Sequence, residues 1–184
     1  MKRLIILLAA FGTHGAMPAL AALQPGETAP DFAAQAAIGG KDFSFSLSDA
    51  LRRGPVVLYF YPKSFTRGCT IEAHQFAEAA ASFAEAGAMV IGMSKDPIEI
   101  QRDFSSTECR DKFPVAADPT LAVIRAYDAL RASPAATGEA VSDRISYVIS
   151  PEGKILYSYV DPLPEKHIEN TLAVVRQWHD QHKN

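Results

Sequence analysis

The run Pro62-Lys63-Ser64-Phe65-Thr66-Arg67-Gly68-Cys69 sets a proline, a hydroxyl and a thiol just ahead of a helical pattern that opens at the cysteine. A cysteine at a helix start meets the positive end of the helix dipole and several unpaired backbone N–H groups, and both favour thiolate over thiol. The thiolate is the nucleophile and the metal ligand. Taken singly, each residue has a plainer role: Cys69 as a small buried hydrophobe, Thr66 as a helix-capping hydroxyl, Pro62 as a loop starter. Their joint occurrence between a strand and a helix favours a reactive sulfur. The only other cysteine is Cys109. Metal binding by Cys69, His74 and Cys109 lacks compact ligand spacing, so no metal site is expected.

Presenting that thiol needs a strand before it and a helix after it. Val56 to Tyr61 is wholly apolar, as in a parallel strand covered on both faces. From Cys69 to Ala86, the residues Ala73, Phe76, Ala77, Ala80 and Phe83 recur at helical spacing, and Gly87 supplies a stop. Met89 to Ser94 reads as a second buried strand, which completes a right-handed strand, helix, strand unit. Asp96-Pro97-Ile98-Glu99 offers an N-cap, a proline at the first helical position and an acid in the first turn, so a helix should run to about Glu108 and end near Cys109. Phe113 to Ala117 is a short strand, and Asp118-Pro119 caps a helix through about Tyr127. Residues 131–142 are too weakly patterned to be more than a loop. Arg144 to Ile149 and Ile155 to Val160 form a hairpin around the turn at 150–154. Pro164 and Glu165 start a last helix whose Ile168, Leu172 and Val175 face inward, with Trp178 extending that face. At the other end, Leu23 to Phe32 is extended, and Asp42 to Leu47 alternates as a half-exposed strand, with Phe32, Phe43 and Phe45 packing this edge. The expected fold is α/β, a mixed central sheet flanked by helices.

Lys2 and Arg3 precede the apolar run Leu4 to Phe11, and Ala19-Leu20-Ala21 supplies a cleavage site, so residues 1–21 read as a secretory signal peptide. Residues 22–184 then form one domain, exported to a compartment such as the bacterial periplasm and not held at a membrane after cleavage. The whole chain has a net charge of −3, and removing Lys2 and Arg3, with no acid alongside them, gives −5. A mildly acidic chain without basic clusters argues against nucleic acid as a partner. Cys69 and Cys109 could form one disulfide in an oxidising compartment, though a domain of this length does not need a staple.

The segment from Pro62 to Cys69 matches the P-x-x-x-T-x-x-C motif of peroxiredoxins. Its flanks, Tyr59-Phe60-Tyr61-Pro62-Lys63 and Gly68-Cys69-Thr70-Ile71-Glu72, most resemble the Q-type branch, the bacterioferritin comigratory proteins. The likeness spans the chain from Gly26-Glu27-Thr28-Ala29-Pro30-Asp31-Phe32 to the last helix. It implies a thioredoxin-like fold and thiol-dependent reduction of hydrogen peroxide or organic hydroperoxides through a sulfenic acid at Cys69, with no cofactor. By the same resemblance Arg144 is the active-site cation, Thr66 positions the peroxide, and Pro62 shields the sulfur. The reductant would be an external thiol such as a thioredoxin-like protein, and the chain would act as a monomer. Many Q-type members place a resolving cysteine five residues after the nucleophile, where this chain has His74, a partly exposed helical histidine on the plainer reading. Cys109 is the remaining candidate for resolving Cys69; otherwise an external thiol does so. The competing reading is an exported thioredoxin-fold thiol-disulfide or binding protein without peroxidase activity. Against disulfide exchange, Thr66 and Glu72 occupy the positions where a C-x-x-C partner of Cys69 would stand.

Overall fold

The computed structural model describes residues 22–183, so the proposed signal segment, 1–21, lies outside the described residues. In chain order the elements are β1 (Ala33–Ile38), β2 (Lys41–Ser46), α1 (Leu47–Leu51), β3 (Val56–Phe60), α2 (Arg67–Glu85), β4 (Met89–Ser94), α3 (Ile98–Thr107), β5 (Val115–Ala117), α4 (Ala122–Ala126), β6 (Ile145–Ile149), β7 (Ile155–Val160) and α5 (Glu165–Gln181). They build a seven-stranded mixed sheet in the order β2-β1-β5-β4-β3-β6-β7. β3, β4 and β5 are parallel, while β1 and β2 on one side and β6 and β7 on the other join antiparallel. This is the thioredoxin-like architecture expected from the sequence.

β3 shows why the sheet has two cores. All of its residues are buried, and successive side chains point to opposite faces. Val56, Leu58 and Phe60 join the cluster under α1 and α4, which includes Leu47, Leu51, Ile124 and Tyr127. Val57 and Tyr59 join the cluster under α2, α3 and α5, with Phe76, Phe83, Phe104, Ile168 and Val175. Each fully buried side chain of this size contributes about 1.5–3 kcal/mol, so the two clusters hold the strand ends in place. Both cysteines belong to the second cluster.

β1 is the strand that the sequence pattern hides, because Ala33-Ala34-Gln35-Ala36-Ala37 is poor in the β-branched and aromatic residues strands favour. Its legible signal is Gly39-Gly40: both have positive φ, 55° and 73°, and make the tight turn that pairs Ile38 with Lys41. One of the two expected helix caps is not formed. α3 begins at Ile98 without a side-chain cap, because the Asp96 carboxylate bonds the Ser64 N–H instead. Asp118 does cap α4, accepting from Ala122 N at 3.0 Å and Ile124 N at 2.9 Å. On α5, His167, Ile168, Thr171 and Val175 are the buried residues. Leu172 is half-buried against the core, and Trp178 stacks on His182 rather than entering it.

The Tyr59 ring lies directly on Gly92 of the neighbouring strand. A Cβ at residue 92 would sit 2.6–2.8 Å from its Cζ, Oη and Cε1 atoms, and the ring is also stacked on Phe76 at 4.4 Å. Gly92→Ala therefore overpacks a site that cannot yield, and urea denaturation should show it about 1–3 kcal/mol less stable than the parent protein.

Candidate active site

After Phe60 the chain crosses the carboxyl ends of the parallel strands and enters α2 at Thr66, the N-cap residue in extended conformation. Thr70 N closes the first helical bond on Thr66 O at 2.9 Å, so Arg67, Gly68 and Cys69 have amides with no acceptor inside the helix. The helix expected to open at Cys69 opens at Arg67, which sets the sulfur within its first turn. No acidic side chain lies in that turn, so nothing offsets the positive end of the dipole. Cys69 is 2% exposed.

Arg144 reaches this sulfur because of strand register. Phe60 pairs with Ile145, which leaves Arg144 beside the segment departing from β3. Its Nη2 lies 3.6 Å from Cys69 Sγ. Nη1 donates to Glu72 Oε2, and Nε donates to the Pro162 carbonyl at 3.0 Å. Gly68 makes room for this approach, since a Cβ there would come within 3.0 Å of Nη2.

Glu72 was not singled out by sequence reasoning, although it lies one helical turn from Cys69 on the same side. It is fully buried, and burial pushes its carboxyl up to about 8 against the pull of Arg144. Its Oε1 has no hydrogen-bond partner among the described residues. His167 Nδ1 stands 4.0 Å from that oxygen. The imidazole is neutral near pH 7, because burial lowers it to about 4. Nε2 faces the Asp161 carbonyl at 2.9 Å and must carry the hydrogen, so Nδ1 accepts from the Ser146 hydroxyl at 2.8 Å. The contact with Glu72 is therefore not an ion pair, and among the described residues Arg144 is the one charged partner the carboxyl has.

The remaining predicted residues fall around the same loop. Thr66 Oγ1 donates to the Lys63 carbonyl at 2.9 Å, which leaves its lone pairs free to accept a hydrogen. Pro62 is half-buried at the start of the loop. Cys109 is not in contact with this group by any hydrogen bond. It sits just past α3, fully buried, with its thiol pushed up by burial and by the neighbouring Glu108. Both cysteines are free thiols. The two residues after Cys109, Arg110 and Asp111, take left-handed φ values of 51° and 59°, conformations that cost non-glycine residues free energy. The turn is clipped to α2 by His74 Nε2 with Glu108 Oε2 at 2.8 Å and by Arg110 Nη1 with Glu78 Oε1 at 3.3 Å. His74 thus holds the turn that carries Cys109.

A thiol in the first turn of a helix, on a thioredoxin-like sheet and facing a buried guanidinium, is the arrangement of a thiol-dependent oxidoreductase. The sequence matches the AhpC/TSA family over residues 25–158, and the chain belongs to that family of peroxiredoxins. It is 33% identical over 144 residues to alkyl hydroperoxide reductase C of Helicobacter pylori, covering 74% of this chain and 70% of that protein. It is 29% identical over 122 residues to peroxiredoxin Bcp of Xanthomonas campestris, covering 66% and 76%. Among solved structures, peroxidoxin BcpB from Mycobacterium tuberculosis superimposes with a TM-score of 0.75 at 30% identity, covering 84% of this chain and 97% of that one. PrxQ from Xylella fastidiosa, at 22% identity and a TM-score of 0.74, shares the fold. The chain is a thiol-dependent peroxidase, with peroxide as substrate and a thiol as reductant.

The Glu72 carboxyl gives the site a pH dependence with a definite sign. Raised to about 8, it is neutral below that pH and leaves the Arg144 charge to the sulfur. Above it, the carboxylate competes for the same guanidinium. The rate of peroxide reduction in the parent protein should fall as pH rises through about 8, and Glu72→Gln should hold its rate to higher pH. Stopped-flow peroxide consumption from pH 6 to 10 measures both profiles.

Proposed function

We propose that Cys69 is the residue that attacks the peroxide and that Cys109 resolves the product. The observation that carries this reading is the 3.6 Å approach of Arg144 Nη2 to Cys69 Sγ at a helix N-terminus. The Cys69 thiolate attacks the terminal oxygen of ROOH, the O–O bond breaks, and the departing RO⁻ takes a proton to leave as ROH while Cys69 becomes a sulfenic acid. Developing charge on the leaving oxygen is met by Arg144 and the free amides of the first turn. Thr66, its own hydrogen committed to Lys63, accepts the hydrogen of the bound peroxide. Pro62 shields the sulfur from bulk water.

In the second half, the Cys109 thiol attacks the Cys69 sulfenic acid, releasing water and forming a disulfide that two external thiol equivalents reduce. A buried thiol held in the protonated form is a poor nucleophile, so Cys109 acts only after its turn lets go of α2. Arg110 and Asp111 make that turn easy to open. Both hydrogen peroxide and organic hydroperoxides are substrates, since the attacked oxygen is the same in each. The protein is exported, consistent with the leader-like composition of residues 1–21, and works as a monomer, as the resemblance to the Q-type branch implies.

Peroxide consumption with a dithiol reductant should be abolished in Cys69→Ser. Unchanged turnover in that variant would refute the assignment. After one equivalent of peroxide, the intact mass of the parent protein should fall by two hydrogens, while Cys109→Ser should instead gain one oxygen.

A further inference from the structure

Thr66 and Pro62 work only if the loop between them is fixed, and the fixing group lies across the sheet on a different element. Asp96 Oδ2 accepts from the Ser64 backbone N–H at 2.7 Å and from the Ser94 hydroxyl at 2.9 Å. The Ser94 Oγ in turn accepts from Asp96 N at 3.1 Å and from Gln101 Nε2 at 2.8 Å. Gln101 also donates to the Ala116 carbonyl at 3.1 Å and accepts from the Tyr61 hydroxyl at 2.6 Å. All of these side chains are buried. The network therefore ties both ends of the segment Tyr61–Ser64 to the ends of β4 and β5 and to the first turns of α3.

The loop shows what this bracing holds in place. Phe65, directly after the braced Ser64, has φ 62°, a left-handed conformation that a bulky residue keeps only where its surroundings over-determine it. On one side is the Ser64 N–H bond to Asp96; on the other, the Thr66 hydroxyl bond to Lys63 O. The Phe65 ring is lodged edge-on against Phe104 of α3 at 5.2 Å. Without the Asp96 bond, the loop is free to relax Phe65 into an ordinary extended conformation, and Thr66 moves with it.

We infer that Asp96 is a positioning residue for the peroxide reaction, acting through the Ser64 N–H on the loop that carries Pro62 and Thr66. This rests on the reading that peroxide reacts at Cys69. The required group is a hydrogen-bond acceptor and not a charge, because the bond at issue runs to a neutral amide.

The test is a ratio of two single-turnover rates at Cys69, one with hydrogen peroxide and one with iodoacetamide, which alkylates the same sulfur without using Thr66 or Pro62. Asp96→Ala should lower the peroxide rate relative to the alkylation rate by about 10–100-fold, the loss expected from misplacing a positioning group by about 1 Å. Asp96→Asn, whose amide oxygen can take the place of Oδ2, should restore most of the ratio. Gln101→Met, which loosens the same network from α3 while filling the same volume, should lower the ratio in the same direction. A ratio within twofold of the parent in both Asp96→Ala and Gln101→Met overturns the inference, as does Asp96→Asn behaving like Asp96→Ala. A parent protein that reacts with peroxide no faster than free cysteine would instead remove the Cys69 assignment, so the two failures are distinct.

Discussion

One guanidinium shared between a sulfur and a buried carboxyl is the constraint on which the rest depends. Taking an arginine and a glutamate out of water costs several kcal/mol per ion unless geometry and further hydrogen bonds offset it. Arg144 meets that demand with three acceptors: Glu72 Oε2, the Pro162 carbonyl and Cys69 Sγ. Each constrains a separate part of the fold. The register of β3 against β6 sets the Arg144 backbone, Gly68 clears the path over the helix start, and the segment after β7 turns back so that Pro162 can accept. The carboxyl raised to about 8 is the adjustable member of the group. Neutral near pH 7, it adds no negative charge beside the sulfur.

The second cysteine belongs to a different physical regime. Cys69 lies in the first turn of α2 with the Arg144 guanidinium beside it, while burial and Glu108 push the Cys109 thiol up. The two free thiols therefore sit in different surroundings. The turn bearing Cys109 is restrained by the half-exposed His74–Glu108 contact and the exposed Arg110–Glu78 ion pair, and such surface contacts are worth little individually. The loop bearing Thr66 is restrained by buried hydrogen bonds to Asp96 and Gln101. The turn at Cys109 is thus held by weaker contacts than the loop bearing Thr66.

Much of this was readable from residue order. The apolar run of β3, the helical spacing of Phe76 and Phe83, and the hairpin before α5 follow from local pattern, and Pro62, Thr66 and Cys69 from one short motif. Arg144 came from family resemblance, because nothing local in a strand-start arginine reports its target. Glu72 and His167 were missed for the complementary reason: a charged or titratable residue on a helix reads as solvent-facing until the neighbouring elements are known to cover it. Asp96 looked like a helix cap, since Asp-Pro before a helical pattern is a strong cap signal. Its carboxylate is drawn away by the Ser64 amide, a partner distant in sequence that no local pattern could supply. β1 was hidden by its alanines, which make a strand only because β2 and β5 flank it and α3 packs on small side chains.

The most direct measurement of the central claim is the second-order rate of hydrogen peroxide with reduced protein, followed by sulfenic acid trapping, in the parent and in Arg144→Ala and Arg144→Lys. Glu72 is already neutral near pH 7, so Arg144→Ala leaves no buried charge without a partner and should remain folded, which circular dichroism checks. Removing a donor aimed at developing charge costs about 10²–10³ in rate, and a loss of that size is predicted for Arg144→Ala. Arg144→Lys should recover little of it, because an ammonium cannot serve sulfur, Glu72 and the Pro162 carbonyl from one planar fork. A folded Arg144→Ala protein that forms the sulfenic acid within threefold of the parent rate would contradict the account.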